Sequence, residues 1–198
     1  VLFIFFISIY SSCSKVNNDN PTKVIFDTDI GNDIDDVLAL QMLLNYEKEN
    51  KIDLLGVTIS KSNPFSINYV DGFCRYYKID DIPIGYVYEG PNTDDGKYLR
   101  QTLDTLINGN KVLYPKITGK DFVLEAWELQ RKILSQQDDQ SVVLISVGPL
   151  TNLKRLLESS GDQYSELSGI ELVSNKVRFL SLMGGEFINP ADVTEWNI

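Results

Sequence analysis

Short apolar, β-rich runs alternate with helical patterns along most of this chain of 198 residues. The predicted strands are 24–27, 52–60, 82–87, 141–146 and 176–183, and the predicted helices are 35–49, 66–77, 98–107, 121–136 and 150–157. Strands that alternate with helices form parallel βαβ units, whose sheet is covered on both faces. The sequence therefore predicts an α/β domain over residues 23–198, with an open, mostly parallel sheet and helices on both faces.

Polar or glycine-rich turns follow four of the predicted strands, at residues 27–36, 60–63, 147–152 and 183–185. In an open parallel sheet, the ligand crevice lies beyond the carboxyl ends of the strands. We therefore expect these four turns to meet at one edge of the sheet and to form a binding site.

The first of these turns is dense in carboxylates. Five aspartates stand around one predicted strand-to-helix turn: Asp27, Asp29, Asp33, Asp35 and Asp36. Each close pair of carboxylates costs on the order of 1 kcal/mol when it is partly shielded from water. The cluster therefore predicts a bound cation.

Calcium is the cation that this composition favours. It takes six to eight oxygen ligands, including backbone carbonyls, whereas zinc and the late transition metals prefer the His and paired Cys ligands that this sequence lacks. An EF-hand is excluded, because twelve positions counted from Asp27 or Asp29 reach Leu38 or Leu40 rather than Glu. A haloacid-dehalogenase-like phosphatase also carries two aspartates after its first strand, but the three further aspartates are foreign to that motif.

The formal net charge of -10 argues against a nucleic-acid partner. Binding to a phosphate backbone needs clustered Lys and Arg side chains, which this sequence does not supply. A small neutral or cationic ligand is easier to accommodate.

Four segments together carry a family resemblance. The stretch Asp-Thr-Asp-Ile-Gly-Asn-Asp-Ile-Asp-Asp-Val-Leu-Ala-Leu at 27–40 resembles the N-terminal signature of the inosine-uridine nucleoside hydrolase family, calcium-dependent enzymes that cleave the N-glycosidic bond of ribonucleosides. Segments 56–63, 147–152 and 183–197 agree with that family in the same order. The resemblance implies a nucleoside hydrolase-like fold with a Rossmann-like core, and a small-molecule nucleoside as the ligand.

The resemblance also implies roles for individual residues. Asp29 would bind Ca²⁺ and act as the general base for a metal-bound water, Asp36 would be a bidentate ligand, and the main-chain carbonyl of Val147 would complete part of the calcium shell. The substrate-binding residues would be Asp35, Asn63, Met183, Asn189, Glu195 and Asn197.

Structural roles are the alternatives for several of these side chains. Asp27 is expected to support the turn as a hydrogen-bond acceptor at the strand end. Asp33 has no counterpart in the shorter family motif and would either support a metal ligand or cap the following helix. Asn63 could be a simple turn residue, and Glu195 and Asn197 could be plain surface residues.

The first 13 residues resemble a bacterial lipoprotein signal, because an apolar run too short to span a bilayer is followed by Ser-Ser-Cys13. This predicts an exported protein, periplasmic or at the cell surface, anchored through lipidated Cys13 and followed by a polar tether at 14–22. A plain cleaved signal and a buried strand are the alternatives. Cys74, the only other cysteine, lies in a helical pattern and is expected to be a buried, inert thiol.

Family members continue past the point at which this chain ends, with a further calcium-binding aspartate and often a histidine that protonates the leaving base. The 198 residues contain no His, so we expect a C-terminally truncated chain with little or no hydrolase activity of its own. A surface-anchored nucleoside- or ribose-binding protein that lacks catalysis is the alternative function. The family resemblance also implies a homo-oligomer, although the residues themselves leave the oligomeric state open.

Overall fold

A computed structural model of the chain describes residues 20–91, 93–117, 119–185 and 197. The strands are β1 (Thr22–Thr28), β2 (Ile52–Ile59), β3 (Ile84–Tyr86), β4 (Leu106–Ile107), β5 (Asn110–Lys111), β6 (Leu124–Glu125), β7 (Val142–Ser146) and β8 (Val177–Leu182). The helices are α1 (Asp35–Lys48), α2 (Pro64–Tyr76), α3 (Leu99–Asp104), α4 (Ala126–Ser135), α5 (Thr151–Glu158) and α6 (Gly169–Lys176), with a 3₁₀ turn at Lys120–Phe122.

Six strands form one parallel sheet in the order β6-β3-β2-β1-β7-β8. From β1 the chain moves outward through β2 and β3 to β6, and then returns to place β7 on the other side of β1. The strand order therefore reverses between β1 and β7, and a crevice opens at such a switch point beyond the carboxyl ends of the strands.

Helices cover both faces of this sheet, as predicted. In β1, Val24 and Phe26 belong to a core cluster with residues of α1 and α2, whereas Ile25 belongs to a second cluster with residues of α4, α5 and α6. Successive strand side chains point to opposite faces, so the near-continuous apolar run of β1 fits a strand that is buried on both sides. The predicted α/β architecture is confirmed.

The helix predicted at 121–136 is wrong in its first part. Leu124–Glu125 forms the edge strand β6, which pairs with Gly85–Tyr86, and the helix begins at Ala126. Pairing across the sheet edge overrides the local helical pattern here. A Cβ on Gly85 would lie 2.9 Å from the Cα of Ala126, so the absent side chain lets α4 pack closely on the sheet.

The sequence prediction also missed α6 and the two-residue strands of the β4–β5 hairpin. Helix α6 begins with a capping box, in which Ser168 accepts a hydrogen bond from the Glu171 amide and the Glu171 carboxylate accepts one from the Ser168 amide at 2.8 Å. This Ser-x-x-Glu pattern is readable in the sequence.

Two elements, β8 and α1, each carry three exposed large apolar side chains. On β8, at the edge of the sheet, these are Phe179, Leu180 and Leu182, and along α1 they are Leu38, Met42 and Tyr46. Within the described residues, no helix combines the length and the apolar character needed to cross a membrane.

Candidate functional site

A cavity of about 790 Å³ lies at the carboxyl ends of β1 and β7, at the switch point between these two strands. Its size suits a small-molecule ligand. Its walls bring together three of the four predicted turns with part of the loop after β3: Asp29, Asn32, Asp33, Asp35, Asp36, Pro91, Asp94, Pro149, Met183, Gly184, Gly185 and Asn197.

The turn between β1 and α1 is held by the segment 94–98, which we call the strap. The backbone amide of Lys97 donates to the Gly31 carbonyl at 2.8 Å. The hydroxyl of Tyr98 accepts from the Gly31 amide at 3.0 Å and donates to the Asp33 carbonyl at 2.9 Å. Gly96 has a φ of +69°, and a Cβ there would collide with the Gly31 carbonyl, so the close approach requires glycine.

Asp36 and Asp29 are the carboxylates that the fold partly buries beside this cavity. Asp36 is buried in the first turn of α1 and accepts a hydrogen bond from the Thr28 hydroxyl. Burial, with repulsion from Asp29 and Asp35, raises the pKa of Asp36 to about 7. Burial also raises the pKa of Asp29, although a backbone hydrogen bond and the charge of Lys61 act against this increase. Both shifts indicate neighbouring carboxylates that lack full compensation.

Asp27 is the acceptor at the centre of a buried hydrogen-bond network, as expected from its position at the end of the first strand. Its carboxylate accepts from the Thr58 hydroxyl at 2.6 Å, the Ser146 hydroxyl at 3.0 Å and the Asn152 side-chain amide at 2.7 Å. Gln130 extends the network by donating to Thr58 at 2.9 Å. Burial raises the pKa of Asp27 to about 6 although these three hydrogen bonds lower it. Asp27 does not line the cavity.

Asp35 and Asp33 are exposed and line the cavity. The prediction that Asp33 caps α1 is wrong, because the N-cap residue is Ile34 and no side chain caps this helix. The Asp33 carboxylate instead pairs with Lys97 of the strap, at 3.1 Å.

Asn63 lies at the N-terminus of α2 and is buried. Its side-chain oxygen accepts from the Phe65 amide at 2.8 Å, and its side-chain nitrogen donates to the Asp94 carbonyl at 2.7 Å. The side chain therefore caps a helix and holds the strap, and it does not line the cavity. A direct contact of Asn63 with a sugar stays a prediction.

The opposite wall comes from the ends of β7 and β8. Asn197 and Met183 both line the cavity, and the Asn197 side-chain nitrogen donates to the Met183 carbonyl at 2.8 Å and to the Val147 carbonyl at 3.5 Å. Their roles in sugar binding, and that of Val147 as a metal ligand, stay predictions. Asn189, Glu195 and Cys13 lie outside the described residues.

Lys61 and Asp94 are site residues that the sequence analysis missed. The Lys61 ammonium lies 2.6 Å from an Asp94 carboxylate oxygen and 3.1 Å from the Asn32 side-chain oxygen. Lys61 could have been found from the sequence, because it is a charged residue in the turn 60–63, which was expected at the crevice. Asp94 carries no such signal, because it stands in the weakly patterned loop 88–119.

The residues present fit a hard cation in their donor chemistry. Asp29 and Asp36 supply carboxylate oxygens, and the Ser60 hydroxyl nearby is buried with no hydrogen-bond partner among the described residues. A Cβ on Gly148 would lie 2.7 Å from both the Ser60 hydroxyl and an Asp29 carboxylate oxygen, so glycine leaves this space open. In the part of the chain that the structure describes, no cluster of three or more His, Cys, Asp or Glu residues could hold a metal ion. Backbone carbonyls and water would have to supply the other ligands that calcium needs.

Solved structures resemble this fold at low sequence identity. The type III effector protein XopQ, complexed with adenosine diphosphate ribose, is 16% identical with a TM-score of 0.61, and the match covers 90% of this chain and 49% of that one. An inosine-uridine preferring nucleoside hydrolase from Bacillus anthracis is 21% identical with a TM-score of 0.54, and the match covers 84% and 51%. A plant nucleoside hydrolase is 19% identical with a TM-score of 0.53, and the match covers 84% and 49%.

The chain thus spans about half the length of each of these structures. No curated protein matches its sequence. The family model described as inosine-uridine preferring nucleoside hydrolase matches residues 24–198, which include the β1–α1 aspartates and every other described wall of the cavity. The chain belongs to the inosine-uridine preferring nucleoside hydrolase family.

Proposed function

We propose that the protein to which this chain belongs hydrolyses the N-glycosidic bond of ribonucleosides to ribose and free base, with Ca²⁺ as its cofactor. The observation that carries the proposal is the pairing of Asp29 and Asp36 beside an open cavity at the switch point of the sheet. Family membership supports nucleoside hydrolysis in general.

Asp29, Asp36 and the main-chain carbonyl of Val147 are the proposed calcium ligands. Calcium, when bound, would supply a water of lowered pKa and neutralise the facing carboxylates. The Asp29 carboxylate then accepts a proton from the attacking water.

The remaining wall residues are proposed to hold the sugar. Asp35, exposed at the first turn of α1, accepts hydrogen bonds from ribose hydroxyls, while Met183 packs beside the ring. Asn197, with the predicted Asn189 and Glu195, orients the sugar for attack. Loss of the base leaves positive charge on the ribose, which nearby carboxylates stabilise. Orientation by several such contacts accelerates the reaction further.

Ribose release is the direct test. Inosine and uridine are incubated with the 198-residue chain in calcium and in a calcium chelator, and reducing sugar is measured. Asp29→Asn is expected to abolish any calcium-dependent release. Asp138→Asn is the matched control, because that carboxylate is 94% exposed beside Lys23 at the start of β1, away from the cavity. Calcium-dependent release that is measurable in the parent chain and equal in Asp29→Asn would contradict the proposal.

We expect the 198-residue chain itself to be much slower than intact family members. Two observations support this: the sequence has no His to protonate the leaving base, and the described residues bring only two partly buried carboxylates to the cavity. The same observations favour the second candidate, a nucleoside- or ribose-binding protein without catalysis. Calorimetric binding of inosine without ribose release would support binding alone, and release at a rate close to that of an intact member would contradict our expectation.

Export as a lipoprotein anchored through Cys13 is a further proposal, supported by the sequence pattern before that cysteine. When the protein is expressed with a radioactive fatty acid, we expect it to become labelled, and Cys13→Ser should remove the label. Label that persists in Cys13→Ser would contradict the proposed lipid anchor.

A homo-oligomer also stays a proposal, and sedimentation of the purified chain tests it.

A further inference from the structure

Lys61 is a fully buried cation beside the acidic cavity. Its side chain is 0% exposed, whereas its partner Asp94 is 63% exposed. Burial of an ammonium is costly unless it is paired. Asn32 and Asp94, which it contacts, both line the cavity, so the ammonium lies directly behind the wall that they form.

The position of Lys61 is fixed from several sides. The lysine follows β2, and a Cβ on Gly31 would lie 3.3 Å from its Cδ, so the side chain passes under the aspartate turn. The Asp94 carboxylate that it contacts also accepts from the Gly96 amide at 2.8 Å, and the Asp94 carbonyl accepts from Asn63. The ammonium therefore cannot swing into water without breaking the contacts of the strap.

We infer that Lys61 is a built-in counter-charge of the aspartate cluster, which compensates Asp29 when no metal is bound and lowers the affinity of the site for a divalent cation. This inference rests on the proposed calcium site and adds to it a residue that sets the affinity. Lys61 is a positioning residue, because it acts through Asp29, Asn32 and Asp94 and touches no reacting atom.

Electrostatics supports this role. The Lys61 ammonium lies 3.1 Å from the side-chain oxygen of Asn32, which belongs to the aspartate turn and lines the same cavity as Asp29. Like charges repel, and the interaction of Lys61 with a divalent ion in the same cavity is only weakly screened, since the ammonium is buried. Removal of the lysine charge should therefore tighten cation binding. A merely structural role predicts the opposite, because a loosened wall would weaken binding.

The experiment is a calcium titration by calorimetry on the full 198-residue chain and its variants, at one physiological ionic strength. Lys61→Met removes the charge and keeps the length of the side chain, and we expect calcium to bind about 10-fold more tightly. Asp94→Asn removes the carboxylate charge that faces the lysine, and we expect calcium to bind about 3-fold or more weakly. Opposite signs in these two variants are the signature of a counter-charge.

Lys97→Met is the matched control. Lys97 belongs to the same strap and pairs with Asp33, but its side chain is 74% exposed and its charge is screened by water. We expect less than a 2-fold change in calcium affinity.

Thermal unfolding gives a second readout that does not depend on activity. A ligand that binds only the folded state raises the Tm in proportion to the free energy of binding. The rise in Tm on adding saturating calcium should be larger for Lys61→Met than for the parent chain, while its Tm in chelator should be lower.

The outcomes separate this inference from the proposed function. Equal or weaker calcium binding by Lys61→Met overturns the inference, and so does an absence of binding in both the parent and the variant. If Lys61→Gln tightens binding as Lys61→Met does, the effect belongs to the charge and not to a particular replacement. Tighter binding in the two Lys61 variants, together with no ribose release from any nucleoside, supports the inference and favours binding without catalysis over hydrolysis.

Discussion

Asp27 and Asp29 stand two residues apart on the same strand end, yet their surroundings differ in kind. Asp27 is fully enclosed and accepts three hydrogen bonds from side chains of β2, β7 and α5. Asp29 faces the cavity beside Asp36, and burial raises the pKa of both. The motif therefore holds one carboxylate, Asp27, whose hydrogen bonds link β1 to β2, β7 and α5. It also holds two neighbouring carboxylates, Asp29 and Asp36, whose repulsion the protein does not fully compensate.

The comparison teaches that charge density alone does not identify a binding carboxylate. What separates the two groups is whether the protein itself supplies the donors. A buried carboxylate with its donors present stabilises the fold, whereas a buried carboxylate without them destabilises the metal-free state until a ligand arrives. Substitutions at the two positions should therefore affect different measurements.

The largest expected effect of a substitution is on folding, in Asp27→Ala. The substitution leaves the Thr58, Ser146 and Asn152 donors buried without an acceptor, so the free energy of unfolding in urea should fall by about 3–4 kcal/mol. Asp138→Ala is the control and should change it by less than about 0.5 kcal/mol. A small loss in Asp27→Ala would mean that the network is not a stabilising centre.

Asp29→Asn should produce the converse result. Loss of a carboxylate ligand is expected to weaken calcium binding about 100-fold, or about 2.7 kcal/mol, in a calorimetric titration. The free energy of unfolding in chelator should stay the same or rise, because one repelling charge is removed from beside Asp36. A large loss of stability in chelator would mean that Asp29 stabilises the fold as Asp27 does, and this would contradict the distinction between the two aspartates.

Much of this contrast was readable in the sequence. The alternation of strands and helices predicts the sheet, and the switch-point rule predicts that its strand ends share one crevice. The reversal of strand order at β1 explains why Asp29 meets the turns of β7 and β8. The start of α4 was not readable, because β6 is two residues long and exists only through its pairing with β3.

The roles of Lys61 and Asn63 depend on long-range contacts. Both reach Asp94, which lies 33 and 31 residues further along the chain, in a loop without periodicity. No local pattern encodes such a pairing. Asn63 could still have been assigned as a helix cap, because Asn directly before Pro64 is a helix-start signal.

The pH dependence of stability offers a third test of the comparison. The pKa of Asp36 is raised to about 7 and that of Asp27 to about 6, so the folded state binds more protons than the unfolded state between pH 4 and 7. The metal-free protein should therefore lose stability as the pH rises through this window, by on the order of 5 kcal/mol. Urea titrations at pH 4.5 and pH 7.5 measure it.

Substitutions show which carboxylates cause this dependence of stability on pH. Asp36→Asn should remove the larger part of the pH dependence, and saturating calcium should flatten the slope of the parent chain by favouring the ionised carboxylates. A parent chain whose stability in chelator rises with pH over this window would contradict the raised pKa values.

The smallest expected effect concerns the strap that holds the aspartate turn. Tyr98→Phe removes one hydroxyl that accepts from the Gly31 amide and donates to the Asp33 carbonyl, and its ring still packs against Tyr69. We expect a loss of about 1 kcal/mol in the free energy of unfolding and calcium binding about 3-fold weaker, because the turn is less well ordered. Tyr76→Phe is the control, since that side chain is 62% exposed. If Tyr98→Phe lowers stability without changing calcium affinity, the strap supports the fold alone, and the aspartate turn keeps its geometry without it.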